Sequence, residues 1–170
     1  MTVNYKLDAM FELRKFIWAK LQAAEIFDSQ EYYSDNIEET LIPIFPVQQS
    51  AEMSQFFSGK KHIVYDKIGM SYEDNWMICC EQILFTIYST DFSEINEIRN
   101  FMTDQFRRMD ESARDVNYWS GLSDKFKFFS IFVADISPTA PSEELQGFFS
   151  AEVILEIKYS RILDGQGRFL

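Results

Sequence analysis

The chain has 170 residues, of which 46% are hydrophobic, and it carries a formal net charge of -11. This length suits a single domain, and 17 phenylalanines supply apolar side chains for a substantial core. The 27 acidic residues outnumber the 16 basic ones, which argues against DNA binding, since nonspecific binding needs Lys and Arg to neutralise phosphates. No apolar run approaches the roughly 20 residues of a membrane span, and no basic-then-apolar signal opens the sequence. We therefore expect one domain over residues 1–170, made and kept in a cytoplasm.

The first part of the chain predicts a helix, an acidic stretch and a short strand. Apolar side chains recur at three- and four-residue steps over residues 7–24, as on one face of a helix. Residues 29–40 are acidic without Lys or Arg, which fits a solvated loop or a patch facing a channel or a basic partner. Residues 41–47 predict a strand at a sheet edge, because Pro43 and Pro46 cannot donate to a ladder.

The centre of the chain predicts a hairpin followed directly by a helix. A helical turn over residues 51–57 precedes it. Residues 63–72 and 76–88 predict two strands whose short connection makes them antiparallel. The second strand is apolar on both faces, which implies cover on both sides. Asp91 and Glu94 then have capping-box spacing, and an apolar stripe at helical steps continues as far as position 109.

The last third of the chain predicts a loop, two strands and a tail. Residues 112–124 are polar and predict a loop. Residues 126–136 predict a strand that is apolar on both faces, and residues 149–160 one that alternates between a buried and a solvated face. The 137–147 loop between them is longer than a hairpin needs, which fits a solvated excursion or a binding loop. Two glycines in residues 164–170 predict a flexible tail.

These elements predict an α+β domain in the order α-β-β-β-α-β-β, a mostly antiparallel sheet of about five strands with two helices packed on one face. Two helices cover only one face, whereas the strands at 76–88 and 126–136 are apolar on both. A soluble monomer rarely leaves a large apolar patch open. We therefore expect the second face to be buried against another subunit or covered by insertion loops.

The sequence lacks the usual motifs of catalysis. His62 is the only histidine, so a Ser-His-Asp or Cys-His relay would depend on it, and its place after two lysines at a strand start is typical of a surface histidine. The glycines form neither a dinucleotide fingerprint nor a P-loop. The many carboxylates leave an acid pair of the glycosidase kind open. Glu81 is the one carboxylate within an apolar strand, and we expect it to reach an edge, a bulge or an interfacial partner.

The two cysteines, Cys79 and Cys80, are adjacent in a predicted strand. Neighbouring strand residues point to opposite faces, which argues against a disulfide between them. They also lack the spacing of a metal or redox pair, so we interpret them as small buried residues. We accordingly expect no enzymatic activity, no metal and no cofactor.

The order helix, strand, hairpin, helix and two strands resembles that of the tail terminator (tail-completion) proteins of long-tailed bacteriophages. The stretch NWMICCEQILFTIYSTDFSEINEIRNFMTDQFRRMD is similar to the family's long strand and packed helix, and FFSAEVILEIKYSRI to its closing strand. The resemblance covers nearly the whole chain and rests on element order, length and acidity. It implies a non-enzymatic hexameric ring that caps the completed tail tube, ends tube polymerisation and offers a docking surface to the head and neck.

The resemblance also implies a location in the virion, at the neck-proximal end of the tail, after assembly in the host cytoplasm. The implied partners are copies of the chain itself, the tail tube protein and neck or connector proteins. A head-to-tail contact that closes makes a ring and would bury the spare sheet face. An acidic lumen would let DNA pass without adhering, because like charges repel. Another oligomeric neck or head-completion component, or a small ligand-binding α+β domain, is the alternative.

Two sets of residues are candidate contact surfaces. The candidates for a lumen or partner surface are acidic: Glu31, Asp35, Glu38, Glu39, Glu143 and Glu144. The candidates for a subunit interface are apolar strand residues and two helix arginines: Trp76, Ile78, Leu84, Phe129, Arg107 and Arg108. We interpret the 137–147 loop as a contact to tube or neck that orders on assembly.

Overall fold

A computed structural model describes residues 8–48, 55–73, 78–119 and 125–161 of the chain. Within these ranges the protein is α+β, with three α-helices and a mostly antiparallel sheet. The helices are α1 (Ala9–Ala23), α2 (Phe92–Gln105) and α3 (Asp110–Tyr118), and a 3-10 helix spans Ser29–Tyr32. The strands are β1 (Tyr33–Ser34), β2 (Glu39–Thr40), β3 (Ile44–Pro46), β4 (His62–Tyr72), β5 (Cys79–Ser89), β6 (Phe126–Ile136), β7 (Ala140–Pro141) and β8 (Phe149–Arg161).

Six of the described strands form one sheet, and β1 and β2 form a separate hairpin. The sheet has the order β3-β4-β5-β8-β6, and the short β7 also pairs with β8. β3 runs parallel to β4, and the other pairs are antiparallel. The proline-containing strand therefore lies at a sheet edge, as its sequence predicts. The α+β class and the antiparallel hairpin of β4 and β5 are confirmed, but the predicted element order and helix count are not matched.

The helices pack on one face of the sheet and form a single core with it. The inward side chains alternate along β5 and β8, as predicted, and they are fully or almost fully buried: Cys79, Ile83, Phe85, Ile87, Ala151, Val153, Leu155, Ile157 and Tyr159. From α1 the side chains of Leu13, Phe16 and Ile17 join them without solvent exposure. Each such large apolar side chain stabilises the fold by about 1.5–3 kcal/mol through burial.

The helix that follows β5 begins at the predicted cap. Asp91 Oδ1 accepts hydrogen bonds from the Ser93 hydroxyl over 2.8 Å and from the Ser93 N–H over 2.9 Å. These two bonds lower the pKa of the Asp91 carboxyl. Glu94 does not close the predicted capping box; it accepts instead from the Ser89 hydroxyl over 2.7 Å. The helix nevertheless buries the predicted stripe at Ile95, Ile98 and Met102.

The predicted loop at residues 112–124 is wrong, because α3 occupies Asp110–Tyr118. The α2 stripe also ends early: Met109 is 48% exposed and has a positive φ of 43°. α3 buries Ser112, Ala113 and Val116, which are small or polar side chains. Most of its nine residues are polar, and this composition, typical of a loop, explains why the sequence did not reveal the helix.

The turn between α2 and α3 closes one edge of the sheet. The N–H of Val133 donates to the carbonyl of Phe106, and the N–H of Ile131 donates to that of Met109, both over 3.2 Å. These bonds supply partners to backbone N–H groups on the outer edge of β6, which a further strand would otherwise pair. The turn therefore holds the C-terminal end of α2 against β6.

The opposite edge is open over part of its length. β3 pairs with β4 only at residues 63–65, and no other described strand continues along that side of β4. The ladder between β4 and β5 carries a bulge between Lys67 and Gly69. Three apolar residues lie along this open part, and they are 47%, 57% and 63% exposed: Ile68, Met70 and Tyr72.

The second face of the sheet is mixed rather than uniformly apolar. Each long strand contributes a half-buried apolar residue to it: Val64, Leu84, Phe132 and Ile154. Leu84 and Ile154 are direct cross-strand partners, and acidic side chains such as Asp66, Asp135 and Glu156 flank this row. Two irregularities of β6 shift its register, so its outward residues are Lys127, Ser130, Phe132 and Asp135, which simple alternation does not predict.

Several predicted features lie outside the described residues: the strand start at 76–77, residues 51–54 of the helical turn, and the tail at 164–170. Residue 7, the predicted start of the first helix, also lies outside them. Among the helices of the described ranges, none is both long enough and apolar enough to cross a membrane.

Candidate functional site

A cavity of about 460 Å³ lies on the second face of the sheet, between strands β3 to β5 and the 142–148 segment. This segment belongs to the long loop that the sequence singles out, and it folds back over the sheet beside Leu84 and Thr86. Insertion-loop cover, one of the two expected ways of shielding this face, is therefore present at this end. The walls of the cavity are aromatic and its rim is acidic.

Four stacked rings form one wall of the cavity. Phe57 stacks on Phe45 with ring centroids 4.7 Å apart, and Phe45 stacks on His62 at 5.5 Å with 14° between the planes. Tyr88 also stacks on the His62 ring, with centroids 5.2 Å apart and 29° between the planes. Phe148 of the folded segment meets the same imidazole edge-on at 6.1 Å. The stack joins β3, β4 and β5 to the segment that covers them.

His62 is buried, with only 7% of its surface exposed, so the prediction of a surface histidine is wrong. The reason is that β3 and the 142–148 segment both cover the start of β4. Nδ1 lies 2.8 Å from the carbonyl oxygen of Lys60, so Nδ1 carries the proton and Nε2 is left as an acceptor. Burial lowers the pKa of the imidazole, which makes His62 a neutral side chain.

Three carboxylates line the cavity, from Asp66, Glu144 and Glu152, whereas no Lys or Arg of the described ranges does. None of the three takes part in a salt bridge between described residues. Because His62 is neutral, the cavity carries an uncompensated negative charge. Aromatic faces beside carboxylates are the environment that organic cations bind in proteins.

The folded segment is held by specific contacts. The Tyr88 hydroxyl donates to Glu144 Oε2 over 2.7 Å, and burial together with this carboxylate raises the pKa of Tyr88. Ser142 Oγ accepts from the N–H groups of Glu144 and Leu145 over 3.2 Å and 3.1 Å. Gly147 has a φ of 82°, a conformation that side chains with a Cβ rarely adopt, and this turn returns the chain to β8.

The structure separates the acidic residues that the sequence groups together. Glu144 lines the cavity and Glu143 is exposed beside it. Glu31, Asp35, Glu38 and Glu39 are exposed on the 3-10 helix and the β1–β2 hairpin. Of the six, only Glu144 meets the cavity, so the two acidic stretches do not form one site there.

The predicted interface residues also occupy different places. Leu84 is half-buried in the cavity, and Ile78 is half-buried where its carbonyl accepts from the N–H of Glu73 over 3.1 Å. Phe129 is 36% exposed at an irregularity of β6. The Arg107 and Arg108 side chains are 63% and 66% exposed in the turn between α2 and α3. Trp76 lies outside the described residues.

Glu81 points into the core and is fully buried. Its Oε1 accepts from the Tyr159 hydroxyl over 2.7 Å and lies 3.6 Å from Lys67 Nζ. The sequence predicts that Glu81 reaches an edge, a bulge or an interfacial partner. It lies in the core on β5, between β4 and β8, and its ion-pair partner Lys67 precedes the bulge of β4. Burial and the neighbouring Glu81 raise the pKa of Tyr159, which keeps its hydroxyl protonated as a donor. No described residue forms a hydrogen bond with Glu81 Oε2.

The cysteines and acids do not form a metal site within the described residues. Cys79 is buried and Cys80 half-buried in the β5 ladder, and burial raises the pKa of both thiols, which keeps them protonated. The sequence reasoning missed the cavity, because its aromatic residues come from four separated stretches of chain. A scan against protein-family models finds no match to this chain, and a search of curated proteins finds none either.

Proposed function

We propose that the chain is a structural subunit of a bacteriophage virion, a tail terminator that assembles into a ring on the end of the tail tube. In this role it stops tube polymerisation and presents a docking surface to neck proteins. It needs no catalytic residue or cofactor.

The observation that carries the proposal is the second face of the sheet. The helices lie on the first face, whereas Val64, Leu84, Phe132 and Ile154 form a half-buried apolar row across the second. The 142–148 segment covers only the end of this row near β4 and β5. Such a face is suited to burial against a neighbouring subunit, and a head-to-tail contact of this kind closes into a ring.

The net charge of -11 agrees with the role, because an acidic ring lets DNA pass without adhering. The exposed acids of the 3-10 helix and the β1–β2 hairpin, Glu31 to Glu39, are the proposed lumen or partner surface. The 142–148 segment, with exposed Glu143 beside the cavity, is the proposed contact to tube or neck.

The test combines assembly with tube capping. Light scattering coupled to gel filtration, followed by negative-stain imaging, should show a closed ring of about six subunits, alone or on isolated tail tubes. Adding the protein to polymerising tube protein should shorten the tubes. The variant Phe132→Lys should lose both effects, while the control Asn100→Lys on the exposed side of α2 keeps them. Circular dichroism checks that each variant is folded.

Binding to connector rings rather than to tubes would indicate a neck or head-completion component instead. The cavity itself favours a second candidate, a small ligand-binding domain, because it combines aromatic walls with a few carboxylates. That candidate predicts a protein that stays monomeric, ignores tube ends and binds a small organic cation. Monomeric protein that fails to bind tubes would contradict the terminator.

A further inference from the structure

We propose that the acidic aromatic cavity binds an arginine of a second copy of the chain, supplied by the turn between α2 and α3. The inference rests on the proposed ring and names the two surfaces that form its contact. The cavity offers carboxylates at Asp66, Glu144 and Glu152 and half-buried apolar surface at Leu84, Leu145 and Phe148. A guanidinium group fits this chemistry best, since it stacks on aromatic faces and binds carboxylates through paired hydrogen bonds.

The turn presents the matching group. Arg107 and Arg108 are adjacent and exposed, and the exposed side chain of Met109 beside them adds apolar area. Both arginines form ion pairs with residues three positions away in the sequence, Arg107 with Asp104 at 3.7 Å and Arg108 with Glu111 at 3.1 Å. Exposed pairs of this kind contribute at most about 1 kcal/mol, so both guanidinium groups are available to a stronger site.

The turn of one molecule does not reach its own cavity. The cavity lies on the face without helices, against β3, β4 and β5, whereas the turn joins two helices on the other face and is bonded to β6. His62 and Asp66 on β4 lie three strand spacings of about 4.8 Å from β6, and Glu152 on β8, one spacing away, lies on the face opposite the helices. The cavity and its arginine must therefore come from different copies.

This contact joins two different surfaces that lie at opposite edges of the sheet. Each copy has one cavity and one turn, so every copy gives an arginine to one neighbour and accepts one from another. Such a heterologous contact continues from copy to copy and ends only when the ring closes. The desolvated guanidinium also sets the register of neighbouring subunits.

Complementation between variants tests the contact. The turn variant Arg107→Glu/Arg108→Glu keeps an intact cavity, and the cavity variant Asp66→Lys/Glu152→Lys keeps an intact turn; all four side chains are exposed. In analytical ultracentrifugation at low salt, each variant alone should associate at least about tenfold more weakly than the wild type. An equimolar mixture should form 1:1 dimers and stop there, because only one cavity and one turn are functional in each pair. The control Glu25→Lys/Glu97→Lys makes the same charge change at exposed positions outside both surfaces and should associate as the wild type does.

The single histidine supplies a direct reading of the cavity. In the NMR spectrum of the carbon-13-labelled turn variant, the one imidazole signal belongs to His62. This signal should shift when the unlabelled cavity variant is added. A mixture that remains monomeric with an unchanged signal overturns the contact, as does a wild type that shows no association at any concentration. A signal that shifts with methylguanidinium but not with the second copy also overturns it and indicates a small-cation site. Rings that cap tubes while the mixture stays monomeric would leave the proposed function intact, and dimers without tube capping would leave the contact intact.

Discussion

Asn117 forms two hydrogen bonds with the backbone of Phe128. The Phe128 N–H donates to Asn117 Oδ1 over 2.9 Å, and Asn117 Nδ2 donates to the Phe128 carbonyl over 2.7 Å. A side-chain amide thus takes the place of a neighbouring strand at the edge of β6. It also links α3, the helix that the sequence did not reveal, to the sheet on which it packs.

Replacing this amide should destabilise the protein. Asn117→Ala leaves the Phe128 backbone groups without their partner, and we expect a loss of about 1–3 kcal/mol in the free energy of unfolding. Urea denaturation followed by circular dichroism measures the change. Asn100→Ala, at an exposed position of α2, is the matched control and should change stability little. Equal effects of the two variants would show that the amide does not hold β6.

The Tyr159 hydroxyl should stabilise the buried carboxylate of Glu81. Tyr159→Phe removes the hydrogen bond that the described residues donate to Oε1 and leaves Lys67 Nζ at 3.6 Å, so we expect a loss of about 1.5–3 kcal/mol. Tyr118→Phe serves as the control, because the Tyr118 side chain is 82% exposed. Chemical denaturation compares them. A Tyr159→Phe protein as stable as Tyr118→Phe would contradict this assignment.

The buried imidazole should make stability depend on pH. Burial lowers the pKa of His62 in the folded protein, so the unfolded chain binds more protons below the ordinary histidine pKa of about 6.5. Stability is therefore full above that pH and falls as the pH drops through the interval between the unfolded and folded pKa values. Thermal melts of the wild type and His62→Phe from pH 7.5 to 5 provide the measurement. The variant should show a shallower decline, and parallel curves would refute the prediction.

The hydrogen bond from Tyr88 to Glu144 should restrain the segment that covers the cavity. In Tyr88→Phe the 2.7 Å bond is lost while the ring stack on His62 remains. We expect faster amide hydrogen exchange in residues 142–148, with exchange in β5 unchanged. The control Tyr33→Phe alters an exposed tyrosine of β1 and should leave both regions as they are. Unchanged exchange in the segment would mean that other contacts hold it.

The sequence predicts those elements whose own side chains carry a strong period. β8 alternates over most of its length apart from Ile154, α1 carries a wide apolar stripe, and Asp91 marks a helix start, so each appears near its predicted place. α3 escaped because its buried side chains, such as Ser112 and Ala113, are small. Its start also lacks a recognisable cap, because Met109 holds the N-cap position without a side-chain hydrogen bond. Ser112 Oγ instead accepts from the N–H of Arg108 and donates to the Gln105 carbonyl, both over 3.2 Å.

The candidate site was less accessible to sequence reasoning than the fold. His62 follows two lysines, and local context therefore indicated the surface. It is buried because Phe45, Tyr88 and Phe148, remote in sequence, surround its ring. Glu144 was singled out through its acidity, but its position against Tyr88 depends on how the long loop folds back. Pairings across dozens of residues leave no periodic trace in a single sequence.

The unequal edges of the sheet limit how copies can add strands to one another. The α2–α3 turn occupies the β6 edge, whereas the outer edge of β4 beyond Tyr65, on the side away from β5, has no partner among the described strands. Two molecules can join their β4 edges, but the joined sheet then ends in two occupied β6 edges. Runaway growth of the kind that builds amyloid needs an acceptor edge at each end of every added unit. This protein can expose Ile68, Met70 and Tyr72 beside an open strand and still be protected against fibre formation through its native sheet.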